Sequence, residues 1–117
     1  IASLLFVHGR GNDIWVGTEN GGLSKYHLQS KQFYHYLHDD ANTESLNDNS
    51  IYSIYIDRQS RLWIGTFSNG VNISDPNREK FKRPNITLKN QTVNAILKDS
   101  KNRLWIGTEE GLAVKDN

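Results

Sequence analysis

The sequence predicts an all-β chain of repeated four-stranded antiparallel meanders, and three observations predict it. Each of the three tryptophans sits in one phrase, IWVGT at 14–18 and LWIGT at 62–66 and 104–108. The phrases recur at a fixed scale, 48 residues from Trp15 to Trp63 and 42 from Trp63 to Trp105. Between them lie short runs rich in Ile, Val, Tyr, Phe and Trp bounded by turn residues, with no sustained 3.6-residue apolar periodicity. A repeat of roughly 40–50 residues built from four short strands is the blade of a β-propeller. Residues 1–117 then hold about two and a half blades: blade 1 about 2–37, blade 2 about 51–84 and a partial blade 3 about 93–117.

The copies align well beyond the tryptophan phrase. Ile51 and Val93 stand twelve residues before Trp63 and Trp105, Asp57 and Asp99 six before, and Arg61 and Arg103 two before. Phe33 and Phe81 each follow a tryptophan by 18 residues, so the difference in period falls between Phe33 and Ile51. It is absorbed by the connection HDDANTESLNDNS at 38–50, which leaves the strands undisturbed.

In the middle copy the strands are expected at 51–57, 61–66, 71–75 and 80–84. The first copy lacks a typical first strand. Strands a and b are joined by RQS (58–60) and SKN (100–102), three-residue links suited to hairpins, in which Asp57 and Asp99 can accept backbone hydrogen bonds. Strands b and c are joined by ENGG (19–22), FSNG (67–70) and EEG (109–111), whose glycines suit tight links. The stretch IYSIYID is apolar on both faces, as a sheet packed on both sides requires.

Composition narrows the function. Net charge is +1 from 14 basic and 13 acidic residues spread along the chain, so no basic stripe points to nucleic acid. No apolar run approaches the ~18 residues that would span a membrane. There is no cysteine, which excludes disulfide scaffolds and Cys-ligated zinc. The chain opens on Ile1 and reads as a segment of a longer protein.

At this point the residues resemble a known family. LNDNSIYSIYIDRQSRLWIGTFSNGVNISD is similar to the two-component regulator propeller repeat, as are LWIGTEEGLAV and IWVGTENGGLSKY followed by QFYHY. The resemblance implies a propeller in the periplasmic sensor region of a bacterial hybrid two-component receptor, many of which, notably in Bacteroidetes, respond to glycans. It implies as partners the remaining blades, a downstream membrane span and histidine kinase of the same polypeptide, and an oligosaccharide ligand. Family members often carry Gly in the a–b turn where this chain has Ser60 and Asn102.

Candidate sites divide by whether they recur. Trp15, Trp63 and Trp105 occupy one repeat position, which marks packing rather than a sugar platform. Gly17, Gly65 and Gly107 follow two residues later and are expected to admit a neighbouring blade closely. His35, His38, Asp39 and Asp40 form the only local cluster resembling metal ligands. An i, i+3 pair on a strand points to opposite faces, so a solvated loop is expected there. The carboxylate pairs Asp39–Asp40 and Glu109–Glu110 fall in turns, and no catalytic or phosphate-loop motif occurs. Neither enzymatic activity nor a cofactor is expected. The sequons at Asn72, Asn85 and Asn90 are about as many as an Asn-rich chain produces by chance.

What varies between copies is the b–c link: Glu19 and Asn20, then Phe67, Ser68 and Asn69, then Glu109 and Glu110. These are the candidate ligand contacts, with Phe67 foremost because a bulky aromatic stands where the other copies have Glu. Its alternative is to fold back onto the blade edge. The expected function is therefore ligand sensing at a periplasmic propeller, the rival being blades that serve only dimerisation or docking. Because propellers close with about four to eight blades, the isolated chain is expected to self-associate.

Overall fold

β-Branched and aromatic residues in runs of four to seven, punctuated by turns, leave only strands as the regular structure. The computed structural model describes residues 4–75 and 80–116, with side chains from residue 11 onward. Sheet 1 comprises β1 (Leu4–Arg10), β2 (Asp13–Thr18), β3 (Leu23–His27) and β4 (Gln32–Tyr36). Sheet 2 comprises β5 (Ile51–Ile56), β6 (Leu62–Thr66), β7 (Val71–Ser74) and β8 (Phe81–Lys82). Sheet 3 comprises β9 (Val93–Lys98), β10 (Leu104–Thr108) and β11 (Gly111–Lys115). Every sheet is an antiparallel meander in chain order, and no helix occurs among the described residues.

Sheet 1 has a regular first strand although its sequence departs from the repeat. Leu4 pairs with Thr18 as Ile51 pairs with Thr66 and Val93 with Thr108. All three sheets slip register at the same place, between Leu4 and Phe6, Ile51 and Ser53, and at the Gly107/Thr108 step opposite Ala95 and Val93. Each first strand therefore carries a β-bulge beside its b–c turn. Some strands are shorter than the sequence suggests. Asp57 leaves β5 to cap the a–b turn, and β8 has only two residues, ending ahead of Pro84.

The sheets stack with their first strands adjacent, β5 lying against both β1 and β9. One apolar cluster fills the space between sheets 1 and 2, joining Leu23, Leu46, Ile51, Ile64 and Phe81 to Trp15 and Tyr36. A second lies between sheets 2 and 3, where Trp63 and Val71 meet Val93, Ile96, Leu104 and Ile106. Trp63 is 6% exposed, so its burial stabilises by roughly 2–3 kcal/mol. The glycine two residues on makes this approach possible. A Cβ on Gly17 would come 2.7 Å from Ile51 of sheet 2, and one on Gly65 would come 2.6 Å from Val93 of sheet 3.

Candidate functional site

Each tryptophan phrase ends in a threonine that braces the next turn. Thr18, Thr66 and Thr108 donate their hydroxyls to the carbonyls of Gly22, Gly70 and Gly111 at 2.8, 2.8 and 2.9 Å. The braced b–c turns lie against the connections that enter the sheets. Gly22 N–H donates to Asn49 O, Phe67 N–H to Ser50 O, Gly70 N–H to Gln91 O and Glu109 N–H to Thr92 O. The variable turns and the sheet-to-sheet connections thus share one end of the stack, here termed the link end.

Several of the candidate contact residues are engaged in that fastening. Ser68 donates both its N–H and its hydroxyl to Asp48 Oδ2, each at 2.8 Å. Asn69 Nδ2 donates to Asn47 O at 2.9 Å while Asn47 Nδ2 donates to Asn69 O at 3.0 Å. Asn20, at φ +64°, donates its N–H to Ser50 Oγ and accepts from the same hydroxyl. Glu19 and Glu110 are exposed, and Glu109 Oε1 accepts from Asn94 Nδ2 at 3.4 Å.

Phe67 leans back toward β5 and keeps half of its surface open. It is 49% exposed, yet its ring centroid lies 5.4 Å from that of Tyr52, tilted by 52°. Tyr52 is the extra residue of the β5 bulge, and Asn94 is the extra residue of the β9 bulge. A bulge re-aims its side chain, here toward the first residue of the adjoining b–c turn. The pairs therefore match in kind: aromatic with aromatic in sheet 2, amide with carboxylate in sheet 3. Nothing in the one-dimensional pattern marked Tyr52 as the partner of Phe67. Only the register slip does.

The long connection 38–50 is a folded clasp anchored by fully buried Leu46. His38 donates from Nδ1 to Leu46 O and from Nε2 to Asp40 Oδ1, both at 2.6 Å. Two donations need both ring nitrogens protonated, so the Leu46 carbonyl first, and Asp40 second, raise the His38 pKa above 6.5. His35 on β4 pairs instead with Ser24 Oγ at 2.8 Å, so the two histidines of the sequence cluster have separate partners. Among the described residues no group of three or more His, Asp or Glu side chains could hold a metal ion. Between the clasp and sheet 2 opens a cleft of about 320 Å³, lined by His38, Asp40, Asn47, Asn72, Phe81 and Arg83 among others. Asn72 is 1% exposed and accepts from Asn47 N–H, so this sequon is a structural residue.

The opposite end is built on Asp57 and Asp99. Asp57 Oδ1 accepts from Gln59 and Arg61 N–H, and Oδ2 accepts from Arg61 Nε and Trp63 Nε1. Asp99 makes the same set with Lys101, Arg103 and Trp105. Burial works to raise the Asp57 pKa, but bonds from Trp63 and from Arg61 overcome it and hold the carboxyl below 3.8. Asp99 is lowered further, by Trp105 first and the Arg103 backbone second. Trp63 and Trp105 are thus fixed through their indole N–H as well as their rings.

Comparison with known proteins follows from this geometry. Residues 45–68 and 87–110, two connection–a–b units with their bulges, match the two component regulator propeller family. Those two segments are similar to two-component regulator propeller repeats. The three-sheet stack is similar to the extracellular domain of a hybrid two component system from B. thetaiotaomicron, at 25% identity and TM-score 0.86. It covers 95% of this chain and 16% of that one. A second such domain from B. thetaiotaomicron aligns at 25% identity and TM-score 0.72, covering 97% and 16% of the two chains. Histidine kinase P4 of Formosa agariphila is 36% identical over 75 residues, which are 62% of this chain and 5% of the kinase. These propeller repeats thus span a small fraction of the proteins they resemble.

Proposed function

We propose that this chain is part of the extracytoplasmic sensing propeller of a two-component receptor, and that its link end meets a glycan-derived ligand. The observation that carries the reading is the Phe67–Tyr52 pair. It is a half-exposed aromatic surface among polar groups, in a position where the other turns hold Glu19 and Glu109. Aromatic faces stack on apolar sugar faces while neighbouring polar groups meet hydroxyls. The likeness to extracellular domains of hybrid two component systems supports a location outside the cytoplasm. The name of the Formosa relative supports a kinase output in the same polypeptide. In this reading the segment transmits ligand contact as movement and performs no chemistry of its own.

A second reading is favoured by a specific observation. Asn20, Ser68 and Asn69 are spent on fastening turns to connections, as blades serving only as scaffold or docking surface would require. Calorimetric titration with a panel of oligosaccharides, using the propeller that contains this chain, separates the two. Loss of affinity in Phe67→Ala and Tyr52→Ala supports sensing at the link end. Affinity unchanged in both assigns these sheets to the scaffold.

A further inference from the structure

The contact between sheets 2 and 3 departs from the contact between sheets 1 and 2 at one repeat position. Ile56 pairs with Leu62 and turns toward sheet 1, where it is 8% exposed within the first apolar cluster. Lys98 holds the same place in β9, paired with Leu104, and turns toward sheet 2. Its Nζ lies 5.7 Å from the centroid of the Trp63 ring. A lysine stem can cover an aromatic face, but its ammonium must stay hydrated or meet an anion. The seam that an isoleucine closes in one contact therefore ends in a charged group in the other.

At that point a pocket of about 320 Å³ opens between the two sheets, at the end opposite the link end. Tyr55, Arg58 and Gln59 form the wall from sheet 2, and Lys98, Asp99 and Ser100 the wall from sheet 3. Asp99 does not serve as counter-ion to this pocket. Its two oxygens already accept from Lys101, Arg103 and Trp105, and Arg103 balances its charge. Asp57, the matching carboxylate of sheet 2, is buried and paired with Arg61. Among the described residues neither Arg58 nor Lys98 forms an ion pair. Gln59 Oε1 accepts from Arg61 Nη2 at 2.9 Å, which leaves its amide nitrogen as the free end. Two unpaired cations thus share one pocket with the hydroxyls of Tyr55 and Ser100 and the amides of Gln59 and Asn102.

We propose that the pocket between sheets 2 and 3 binds a phosphate-like dianion, free or as the ester group of a small molecule, between Arg58 and Lys98. Cations around one cleft concentrate anions there, and an anion set between them removes their mutual repulsion. Arg58 supplies a planar fork of donors suited to such oxygens, and Lys98 supplies a compact charge. A pocket of about 320 Å³ stands at the small end of the ~300–1,000 Å³ typical of ligand sites, so it takes a small molecule rather than a segment of protein. The site lies at the far end of the stack from Phe67 and is independent of the reading proposed for that residue.

Isothermal titration calorimetry on the propeller that contains this chain tests this, at constant ionic strength and slightly above neutral pH, where phosphate is doubly charged. The probes are inorganic phosphate and glucose 6-phosphate, and both should bind. Lys98→Ile places in sheet 3 the residue that sheet 2 already uses, and Arg58→Gln changes an exposed turn position. Each should weaken binding about five- to tenfold, the loss of one charge-assisted contact near the surface. Arg58 lies outside both apolar clusters, so its result stands even where Lys98→Ile alters packing. Lys82→Gln, which removes an exposed cation of β8 outside the pocket, and Phe67→Ala should leave phosphate affinity unchanged. Tighter binding of glucose 6-phosphate than of phosphate assigns the pocket to an esterified ligand, and equal affinity assigns it to the free ion. No binding of either probe, full affinity in Arg58→Gln or Lys98→Ile, or an equal loss in Lys82→Gln would each overturn the proposal.

Discussion

Asp57→Ala and Asp99→Ala form a matched pair that measures what burial adds to an identical hydrogen-bond set. Both carboxylates accept from two backbone N–H groups, one Arg Nε and one Trp Nε1, at distances of 2.7–3.0 Å. They differ in surroundings. The Asp57 side chain is 1% exposed and its Trp63 partner is enclosed by sheet 3, whereas the Asp99 side chain is 20% exposed on an open sheet. Removing Asp57 strands a buried indole N–H and takes the acceptor from two part-buried turn amides and the Arg61 guanidinium, for a cost of about 3–5 kcal/mol. Removing Asp99 leaves donors that water can reach, so the loss there is the smaller of the two. Urea unfolding at one fixed protein concentration, with the slope checked for constancy, gives both numbers. Equal losses at the two sites, or a loss under ~1 kcal/mol at Asp57, would refute the reasoning. Because both carboxyls titrate below 3.8, their contribution is present above that pH and is lost as pH falls through the lower folded-state values. Asp57→Asn should remove that part of the acid dependence.

Two further outcomes follow from local geometry. Ser60 and Asn102 both sit at φ +64°, a region that Asn tolerates and Ser does not, so Ser60→Gly should stabilise by roughly 1 kcal/mol and Asn102→Gly by less, read from the urea midpoint. His38 has its pKa raised by the Leu46 carbonyl and then by Asp40, so its contribution is full below pH 6.5 and is lost as pH rises through the folded-state value. Proton NMR titration should therefore show His38 titrating above 6.5, with the protection factors of clasp amides such as Asn42, corrected for base-catalysed exchange, falling over the same range and not in His38→Gln.

Recurring features were legible in the sequence because a packing requirement repeats wherever a sheet repeats. The tryptophan phrase and the aspartate before the hairpin recur, and in sheets 2 and 3 that aspartate accepts the indole N–H of Trp63 and Trp105. The insertion at 38–50 was placed correctly by subtraction, since equal Trp-to-Phe spacings left no other location. Tyr52 and Asn94 were not legible as turn partners. A bulge adds one residue inside an apolar run without changing its composition, and only pairing reveals it. Asp48 was missed for a similar reason: it reaches Ser68 across 20 residues, and no local pattern encodes that distance. The polar character of Asn20, Ser68 and Asn69 suggested availability, but fixed hydrogen bonds had already claimed them.

Asp48 is consequently the residue that distinguishes a ligand surface held rigid from one that merely exists. Its Oδ2 takes both Ser68 donors, and its Oδ1 takes Ser50 N–H at 3.0 Å, so one carboxylate ties the Phe67 turn to the connection entering β5. The turn is tied on its other side by Gly70 N–H to Gln91 O, in the connection entering β9. A contact at Phe67 therefore bears on two sheet entries, which is what a sensing surface needs if it is to bias one arrangement of sheets over another. Asp48→Ala should cost only about 1 kcal/mol in global stability, since its bonds to Ser68 are exposed. It should nevertheless speed hydrogen exchange at Ser68 and Asn69. On the sensing reading it should also lower oligosaccharide affinity, although Asp48 is not proposed to touch the sugar. Faster exchange with unchanged affinity would show that turn rigidity contributes nothing to recognition. Unchanged exchange would show that the two hydrogen bonds do not hold the turn, and the coupling argument would fail at its first step.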